Sequence, residues 1–307
     1  MENENGVVVN ELNSTLEWLR QEVADNNLTQ KEIAQAIGYS NTVVNQFLQG
    51  KYTGDSSHIM ERMVQYIRRL HNSKDLLQTK AAKAAFDFFD LVKNDNSLAV
   101  LLGDSGVGKT KISQSYAFSR DRVAYCCAVQ AMNSREILIA MANSILSTPP
   151  TGTVYECQLS IEQALRQRPR MIIVDQADLL NVKTLDIIRS IHDDGHCSLV
   201  LVGLPYLESL MKRGPRSREN LAYLYSRVGY MRFLPRPDRV DIKVFAKKYD
   251  LEISELFADE MMQWIRNSGE LRTCHHLMAR ARDLKGKVGN SDEDAIRAAR
   301  GVLLKKD

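Results

Sequence analysis

The sequence has no hydrophobic run that suggests a membrane segment. Its apolar runs are all shorter than the roughly eighteen uncharged residues of a candidate spanning helix. The acidic, polar start MENENGVVVNELNS also lacks the basic-then-apolar order of a secretion signal. We therefore expect no membrane partner and a location in the cytoplasm.

Cysteine is scarce and shows no pattern. The five cysteines are an odd number without C-x-x-C spacing, which argues against a disulfide framework and against a zinc ribbon. We interpret them as reduced thiols. The run Cys274-His275-His276 is not interpreted as a metal site, because adjacent residues of a helix point in different directions.

Net charge is also small, at +3 over 307 residues. The balance is uneven, since residues 1–72 carry six Lys or Arg against nine Asp or Glu, whereas residues 232–307 carry sixteen against thirteen. Charge alone therefore does not indicate a protein that binds nucleic acid.

The chain divides into three zones and contains no internal repeat. Its length and its 44% hydrophobic content favour two or three compact units. Residues 1–72 are predicted to form short helices, and residues 239–307, after the proline-punctuated LPRPDR, to form helices only. Residues 73–238 alternate helical segments with apolar runs, which predicts an α/β domain with a parallel sheet covered on both faces. These runs are Leu98–Leu102, Val123–Val129, Met171–Val174 and Leu199–Val202.

Residues 101–110, LLGDSGVGKT, contain the pattern G-x-x-x-x-G-K-[ST] between the apolar run LAVLL and the helix-forming KTKISQSYAF. This strand–loop–helix context favours a phosphate-binding loop over a glycine turn with a chance lysine. Backbone N–H groups of the loop and the N-terminus of the helix can donate hydrogen bonds to phosphates. Lys109 can neutralise the charge of the β- and γ-phosphates, and the Thr110 hydroxyl can coordinate Mg²⁺. We predict binding of ATP with Mg²⁺ by Gly103, Asp104, Ser105, Gly106, Val107, Gly108, Lys109, Thr110 and Lys111.

A second candidate group follows the apolar run in MIIVDQADLL. Asp175 ends this run at the sheet edge expected to carry the phosphate-binding loop, where a carboxylate holds the magnesium shell. Gln176 follows at the position where ATPases of this kind normally have a glutamate. An amide can orient water but cannot accept its proton, so we predict slow hydrolysis with binding intact. We interpret Asp178 as a helix N-cap or a surface carboxylate rather than a replacement base.

These motifs resemble those of the AAA+ ATPases and, among them, the Mu B-like transposition ATPases of mobile elements. YSRVGYMRFLP is similar to the arginine-finger segment of the initiator-like branch, which implies that Arg227 contacts the γ-phosphate held by a neighbouring subunit. GELRTCHHLMARA resembles the lid helix with the second sensor, which implies that Arg272 contacts phosphate in its own subunit. Without the resemblance, both would be interpreted as surface or salt-bridge arginines. The first-sensor position departs from the family, because Leu204-Pro205 stands where a polar residue is common.

The resemblance covers roughly residues 75–285. It implies an α/β AAA+ P-loop NTPase domain, a parallel sheet flanked by helices, with a C-terminal helical lid. It also implies ATP-dependent assembly of a homo-oligomer, a filament or a ring, on double-stranded DNA in a bacterial host cell. Capture of target DNA and stimulation of a transposase are the activities that it implies.

LTQKEIAQAIGYSNTVVNQFLQGKY, in the first zone, has the spacing of a helix-turn-helix. Ile33, Ala34 and Ile37 form an inner face, Gly38 makes the turn, Ser40 caps the second helix, and Val44 and Phe47 point inward. Outward polar groups would then reach DNA in a major groove, although any solvated helix shows such groups. The candidate DNA-binding residues are Asn41, Thr42, Asn45 and Gln46.

Two other functions fit the same motifs. One is a helix-turn-helix transcription regulator whose P-loop domain acts as a switch. The other is a replication initiator or helicase loader, suggested by the initiator-like SRVG stretch. A defined operator would indicate the first, and origin-specific binding or a helicase partner would indicate the second.

Overall fold

The computed structural model describes residues 2–74, 76–146, 150–212, 221–266, 269–289 and 291–303, and their side chains except for residues 2–13, 68–74 and 303. Buried apolar side chains form four clusters in this part of the chain: one in the front helices, one on each face of a central sheet, and one in the C-terminal helices. None of the described helices is both long enough and apolar enough to cross a membrane.

Four helices form the front part of the chain: α1 (Glu2–Asp25), α2 (Gln30–Ile37), α3 (Asn41–Leu48) and α4 (Ser56–Lys74). The prediction of short helices throughout is wrong, because α1 and α4 have 24 and 19 residues. Both contribute fully buried side chains, such as Leu19 and Met63, to the core that α2 and α3 share. Two eight-residue helices bury too little surface alone, so the long helices complete this core. The predicted boundary after residue 72 falls inside α4.

The pair α2 and α3 is determined by local sequence. Thr29 and Glu32 form a reciprocal capping box at the start of α2, and Gly38 ends that helix with φ +76°. The Ser40 hydroxyl then accepts a hydrogen bond from the Val43 backbone N–H and caps α3. The side chains that the helical spacing assigned to the inner face are all buried: Ile33, Ala34, Ile37, Val44 and Phe47.

The central part contains five strands: β1 (Leu98–Leu102), β2 (Val123–Cys127), β3 (Met171–Asp175), β4 (Ser198–Gly203) and β5 (Val228–Phe233). They form a parallel sheet with the order β2-β3-β4-β1-β5. Its buried strands are continuous apolar runs because helices cover both faces. Leu101 of β1 pairs with Val202 of β4, and Val174 of β3 with Leu201, so these strands end at one edge. The elements in chain order are α5 (Lys80–Asp95), β1 (Leu98–Leu102), α6 (Lys109–Ser119), β2 (Val123–Cys127), α7 (Ser134–Ile145), α8 (Val154–Gln167), β3 (Met171–Asp175), a 3₁₀ turn (Ala177–Leu179), α9 (Val182–Gly195), β4 (Ser198–Gly203), α10 (Tyr206–Met211), α11 (Ala222–Arg227) and β5 (Val228–Phe233).

Two strands differ from the apolar runs in the sequence. β2 ends at Cys127, before the predicted end at Val129, and the Val129 side chain is exposed. β5 was not predicted as a strand, because it is an edge strand whose residues are exposed or half-buried and therefore lacks a buried apolar run.

The C-terminal part consists of α12 (Arg239–Lys248), α13 (Glu255–Ile265), α14 (Leu271–Leu284) and α15 (Asp292–Leu303). We call residues 239–303 the lid. Its core is separate from the sheet, and its first helix is attached to the start of α5. The Lys80 backbone N–H donates to Asp241 Oδ1 at 3.0 Å, and the Lys80 ammonium pairs with Asp238. The front helices contact the central part of the chain, where the ring of Tyr66 on α4 lies against the ring of Phe118 on α6, with centroids 5.2 Å apart.

Candidate nucleotide-binding site

The phosphate-binding loop leaves the sheet at the end of β1, where the Gly103 backbone N–H donates to Gly203 O at 3.3 Å. Gly106 and Gly108 have φ values of +87° and +97°, which glycine adopts without strain. Gly108 is also the N-cap of α6, and glycine offers no capping side chain. The first N–H groups of α6 therefore face the space in front of the loop, where they could donate to an anion.

Lys109, the first residue of α6, extends along the inside of this loop. Its ammonium donates to Gly103 O at 2.7 Å and to Asp104 O at 2.9 Å. Burial lowers the pKa of Lys109, and nearby Arg272 lowers it further, whereas the carboxylates of Asp175, Asp178 and Asp104 oppose the shift. The ammonium is therefore poorly solvated, and a negatively charged ligand in the same space would stabilise its charge.

Asp175 lies at the end of β3 and is only 1% exposed. Its Oδ1 accepts from the Gln176 backbone N–H at 2.9 Å, and its Oδ2 accepts from the Tyr125 hydroxyl at 3.0 Å. Gln114 of α6 donates in turn to the Tyr125 oxygen at 3.3 Å. Burial, and secondarily the charge of Asp175, raise the pKa of Tyr125, so its hydroxyl keeps the proton that it donates.

The residues after Asp175 turn sharply across the edge of the sheet. Gln176 has φ +55°, which few residues other than glycine adopt. The interpretation of Asp178 as a helix N-cap or surface group is wrong, because this half-buried residue lies inside the 3₁₀ turn. Its Oδ1 accepts from the Leu204 backbone N–H at 3.0 Å and so links the ends of β3 and β4.

These groups surround a cavity of about 600 Å³ between the sheet edge and the lid. Of the predicted site residues, Ser105 to Lys111, Asp175, Gln176 and Arg272 line it. Gly103 and Asp104 lie behind it and accept from Lys109. Five apolar or aromatic residues of the wall have no local motif and were not predicted: Leu76, Leu77, Phe245, Tyr249 and Leu271. The cavity thus combines a buried carboxylate, a poorly solvated lysine, a helix N-terminus and an apolar wall. These groups could bind a nucleoside triphosphate together with Mg²⁺.

The loop and the lid are in direct contact. A Cβ atom on Gly106 would lie 1.9 Å from Gly269 O, so the two backbones approach as closely as glycine allows. Beside them, Arg236 Nε donates to Asp104 Oδ2 at 2.6 Å and lies 3.9 Å from Glu270 Oε1. Burial raises the pKa of Glu270, and Arg236 partly opposes that shift. Arg236 therefore links the phosphate-binding loop to the first residues of α14.

Arg227 lies at the other end of the sheet. Val228, the next residue, pairs with Leu98 at the start of β1, whereas the phosphate-binding loop follows Leu102. Leu98 and Leu102 are four residues apart in a strand that rises about 3.3 Å per residue, so the two ends of β1 are roughly 13 Å apart. The Arg227 side chain is 61% exposed, with Nε 3.6 Å from Asp193 Oδ2, and does not line the cavity of its own chain.

The predicted DNA-binding residues lie on α3. Asn41, Thr42 and Gln46 are exposed. Asn45 is half-buried, and its Oδ1 accepts from Gln30 at 3.2 Å and from Gln49 at 2.9 Å. The structure therefore presents three of the four side chains outward, whereas the fourth is bonded within the front helices.

A parallel sheet with a glycine-rich loop between β1 and α6 is the arrangement of P-loop nucleotide-binding proteins. Residues 92–211 match the family described as AAA domain, and the fold is an AAA+ P-loop NTPase fold, as predicted. A Walker-type ATPase of Pyrococcus abyssi, 14% identical, has a related fold with a TM-score of 0.55, over 75% of this chain and 73% of its own.

The chain is also similar along most of its length to two particular proteins. It is 25% identical to the ATP-dependent target DNA activator B of Escherichia phage Mu, over 92% of each chain. It is 27% identical to the Mu-like prophage FluMu DNA transposition protein B of Haemophilus influenzae, over 83% of this chain and 91% of that protein. The predicted resemblance to an AAA+ ATPase of the Mu B type is confirmed.

Proposed function

We propose that this chain is an ATP-dependent DNA-binding protein that assembles on double-stranded DNA, captures target DNA and stimulates a transposase. The observation that carries the proposal is the cavity that brings the phosphate-binding loop, Asp175 and Arg272 together. Similarity to a target DNA activator along nearly the whole chain supports the transposition role. A role on DNA in a bacterial host would be performed in the cytoplasm.

The roles proposed for the site residues follow from their positions. Lys109 and the N-terminus of α6 bind the phosphates, and Arg272 contacts them from the lid. Thr110 and Asp175 are the residues proposed to hold Mg²⁺, which neutralises charge on the β- and γ-phosphates when bound. The apolar wall beside Tyr249 is suited to the adenine ring.

Slow hydrolysis is proposed because of Gln176. Its side chain borders the cavity next to Asp175, so it can orient a water molecule near the phosphates. An amide has no basic atom comparable with a carboxylate, so it does not take the proton of that water. We therefore propose that the bound triphosphate persists long enough to maintain an assembly.

An assembly is proposed because of Arg227. This arginine is exposed at the end of β1 opposite its own phosphate-binding loop. It can therefore contact a triphosphate only when that triphosphate is held by another copy. In this role it acts as an arginine finger supplied by the neighbouring subunit, which makes the oligomer part of the site.

The front helices are proposed to contact the duplex through Asn41, Thr42 and Gln46 of α3, with Asn45 positioned behind them. Residues 1–72 carry more acidic than basic residues, so each copy is expected to bind DNA weakly and in a salt-sensitive way. Copies joined in an assembly would bind far more tightly by effective concentration. In this proposal residues 1–72 are the DNA-binding domain, residues 73–238 the nucleotide-binding core and residues 239–307 the lid domain.

The proposal predicts that Lys109→Ala abolishes ATP-dependent DNA binding. Gel shifts on random duplex DNA with ATP, ADP or no nucleotide would measure this, and Lys93→Ala is the matched control. Lys93 donates to a backbone carbonyl, Asp121 O, away from the cavity, so its removal changes charge equally but spares the site. Unchanged ATP-dependent binding in Lys109→Ala would refute the nucleotide coupling. A single operator footprint without ATP would instead indicate a transcription regulator.

Assembly is tested by Arg227→Ala in the same samples with negative-stain imaging. We expect nucleotide affinity to be retained and filaments or rings on DNA to be lost. Arg297→Ala is the control, because Arg297 is also an exposed arginine whose guanidinium pairs with a carboxylate, that of Glu260. Normal assemblies in Arg227→Ala would contradict the proposed contact between subunits.

A further inference from the structure

We propose that Tyr125 is a positioning residue for the Asp175 carboxylate, and that its hydroxyl sets the affinity of the site for Mg²⁺. This inference rests on the proposed nucleotide function. It assigns a role in metal binding to a residue that does not itself line the cavity. The role follows from three hydrogen bonds that join β2, β3 and α6.

The first two bonds fix the carboxylate plane. Asp175 is almost fully buried, and each of its oxygens accepts one hydrogen bond, from the Gln176 backbone N–H and from the Tyr125 hydroxyl. Because a carboxylate oxygen has two acceptor positions, each oxygen keeps one for a further partner. Without Tyr125, the backbone bond from Gln176 would be the remaining hydrogen bond from the described residues that restrains rotation of the carboxylate.

The third bond fixes the direction of the tyrosine proton. Gln114 donates its amide N–H to the Tyr125 oxygen at 3.3 Å, so the hydroxyl proton is directed to Asp175. Gln114 lies one helical turn after Thr110 on α6, and residues four apart share one face of a helix. The helix that carries Thr110 is therefore tied to the Asp175 carboxylate through Gln114 and Tyr125.

A comparison within the same core separates this role from ordinary packing. Tyr116 of α6 donates to Asp90 Oδ1 at 2.7 Å, which is also a tyrosine–carboxylate bond. Asp90 lies on α5 and does not line the cavity. Loss of the Tyr116 hydroxyl thus removes a similar bond without affecting the proposed metal site.

The experiment is a magnesium titration of the full chain at a fixed concentration of a fluorescent ATP analogue. Outer-shell partners of metal ligands commonly change metal affinity by about 10–100-fold. We expect Tyr125→Phe to raise the half-saturating Mg²⁺ concentration about tenfold and to leave binding of the analogue in EDTA unchanged. Tyr116→Phe should behave like the wild type in both conditions. Gln114→Leu, which leaves the Tyr125 hydroxyl in place, should cause a smaller shift in the same direction and serves if Tyr125→Phe does not fold.

The outcomes separate the two proposals. If the wild type binds the analogue with Mg²⁺ and neither Tyr125→Phe nor Gln114→Leu shifts the titration, Tyr125 is not a positioning residue. An equal loss of binding with Mg²⁺ and in EDTA would mean a purely structural role and would also overturn the inference. If the wild type itself does not bind the analogue, the nucleotide function fails.

Discussion

The contact between Gly106 and Gly269 O makes Gly106→Ala the sharpest test of the site. Alanine at φ +87° adopts a left-handed conformation that costs about 1–2 kcal/mol. The added Cβ would also lie 1.9 Å from Gly269 O, whereas real Cβ contacts are essentially never closer than 3.0 Å. The loop and the lid must therefore separate by about 1.1 Å.

A separation of that size is large for phosphate binding. Hydrogen bonds to phosphate require donor–acceptor distances near 2.7–3.2 Å, so the displaced side of the site loses at least one of them. A hydrogen bond to a charged group contributes about 1.5–3 kcal/mol. We therefore expect Gly106→Ala to weaken nucleotide binding about tenfold to a hundredfold.

The control is Gly286→Ala. Gly286 has φ +73°, and a Cβ there meets no atom within 4 Å in the described part of the chain. Both variants carry the conformational cost, so both should lower the melting temperature by a few degrees. Only Gly106→Ala should bind Mg-ATP more weakly in a fluorescence titration. Equal affinity in the two variants would refute the argument that the loop–lid contact determines phosphate binding.

Two further predictions concern hydrolysis and acid stability. Gln176→Glu places a base beside Asp175, so phosphate release should become at least tenfold faster; unchanged hydrolysis with intact Mg-ATP binding would contradict the role of Gln176. In the lid, a hydrogen bond from the Glu252 backbone N–H and a bond from Lys285 lower the pKa of Asp292. Its stabilisation is therefore complete above the unfolded pKa, about 3.9, and is lost as the pH falls through the lower folded value. The difference in the free energy of unfolding between wild type and Asp292→Asn should therefore shrink below about pH 4. Urea unfolding at several pH values measures this difference, and a difference that stays constant would contradict the prediction.

Local patterns predicted the parts of the fold that depend on neighbouring residues. The strands at Leu98–Leu102 and Met171–Asp175 are buried on both faces, so their apolar runs were visible in the sequence. The phosphate-binding loop has a fixed spacing and therefore a recognisable motif. The caps of α2 and α3 also follow from residues within four positions of each other.

Features that depend on distant parts of the chain were not predictable in the same way. The Arg236–Asp104 bond joins residues 132 positions apart, and neither residue type indicates the other. Phe245 and Tyr249 lie on or next to α12, which is attached to the start of α5, and they reach the cavity through this tertiary contact. The Tyr125–Asp175 bond likewise depends on strand pairing between β2 and β3, with Cys127 opposite Asp175.

The cavity wall has a consequence for how the chain unfolds. Its residues include members of the segment before α5, the phosphate-binding loop and the lid, which are far apart in sequence. A ligand that fills this space touches all three at once, and it stabilises the folded state by about 2.7 kcal/mol when its free concentration is a hundred times Kd. We therefore expect bound nucleotide to protect lid and sheet together, so that the chain resists proteases better when nucleotide is abundant.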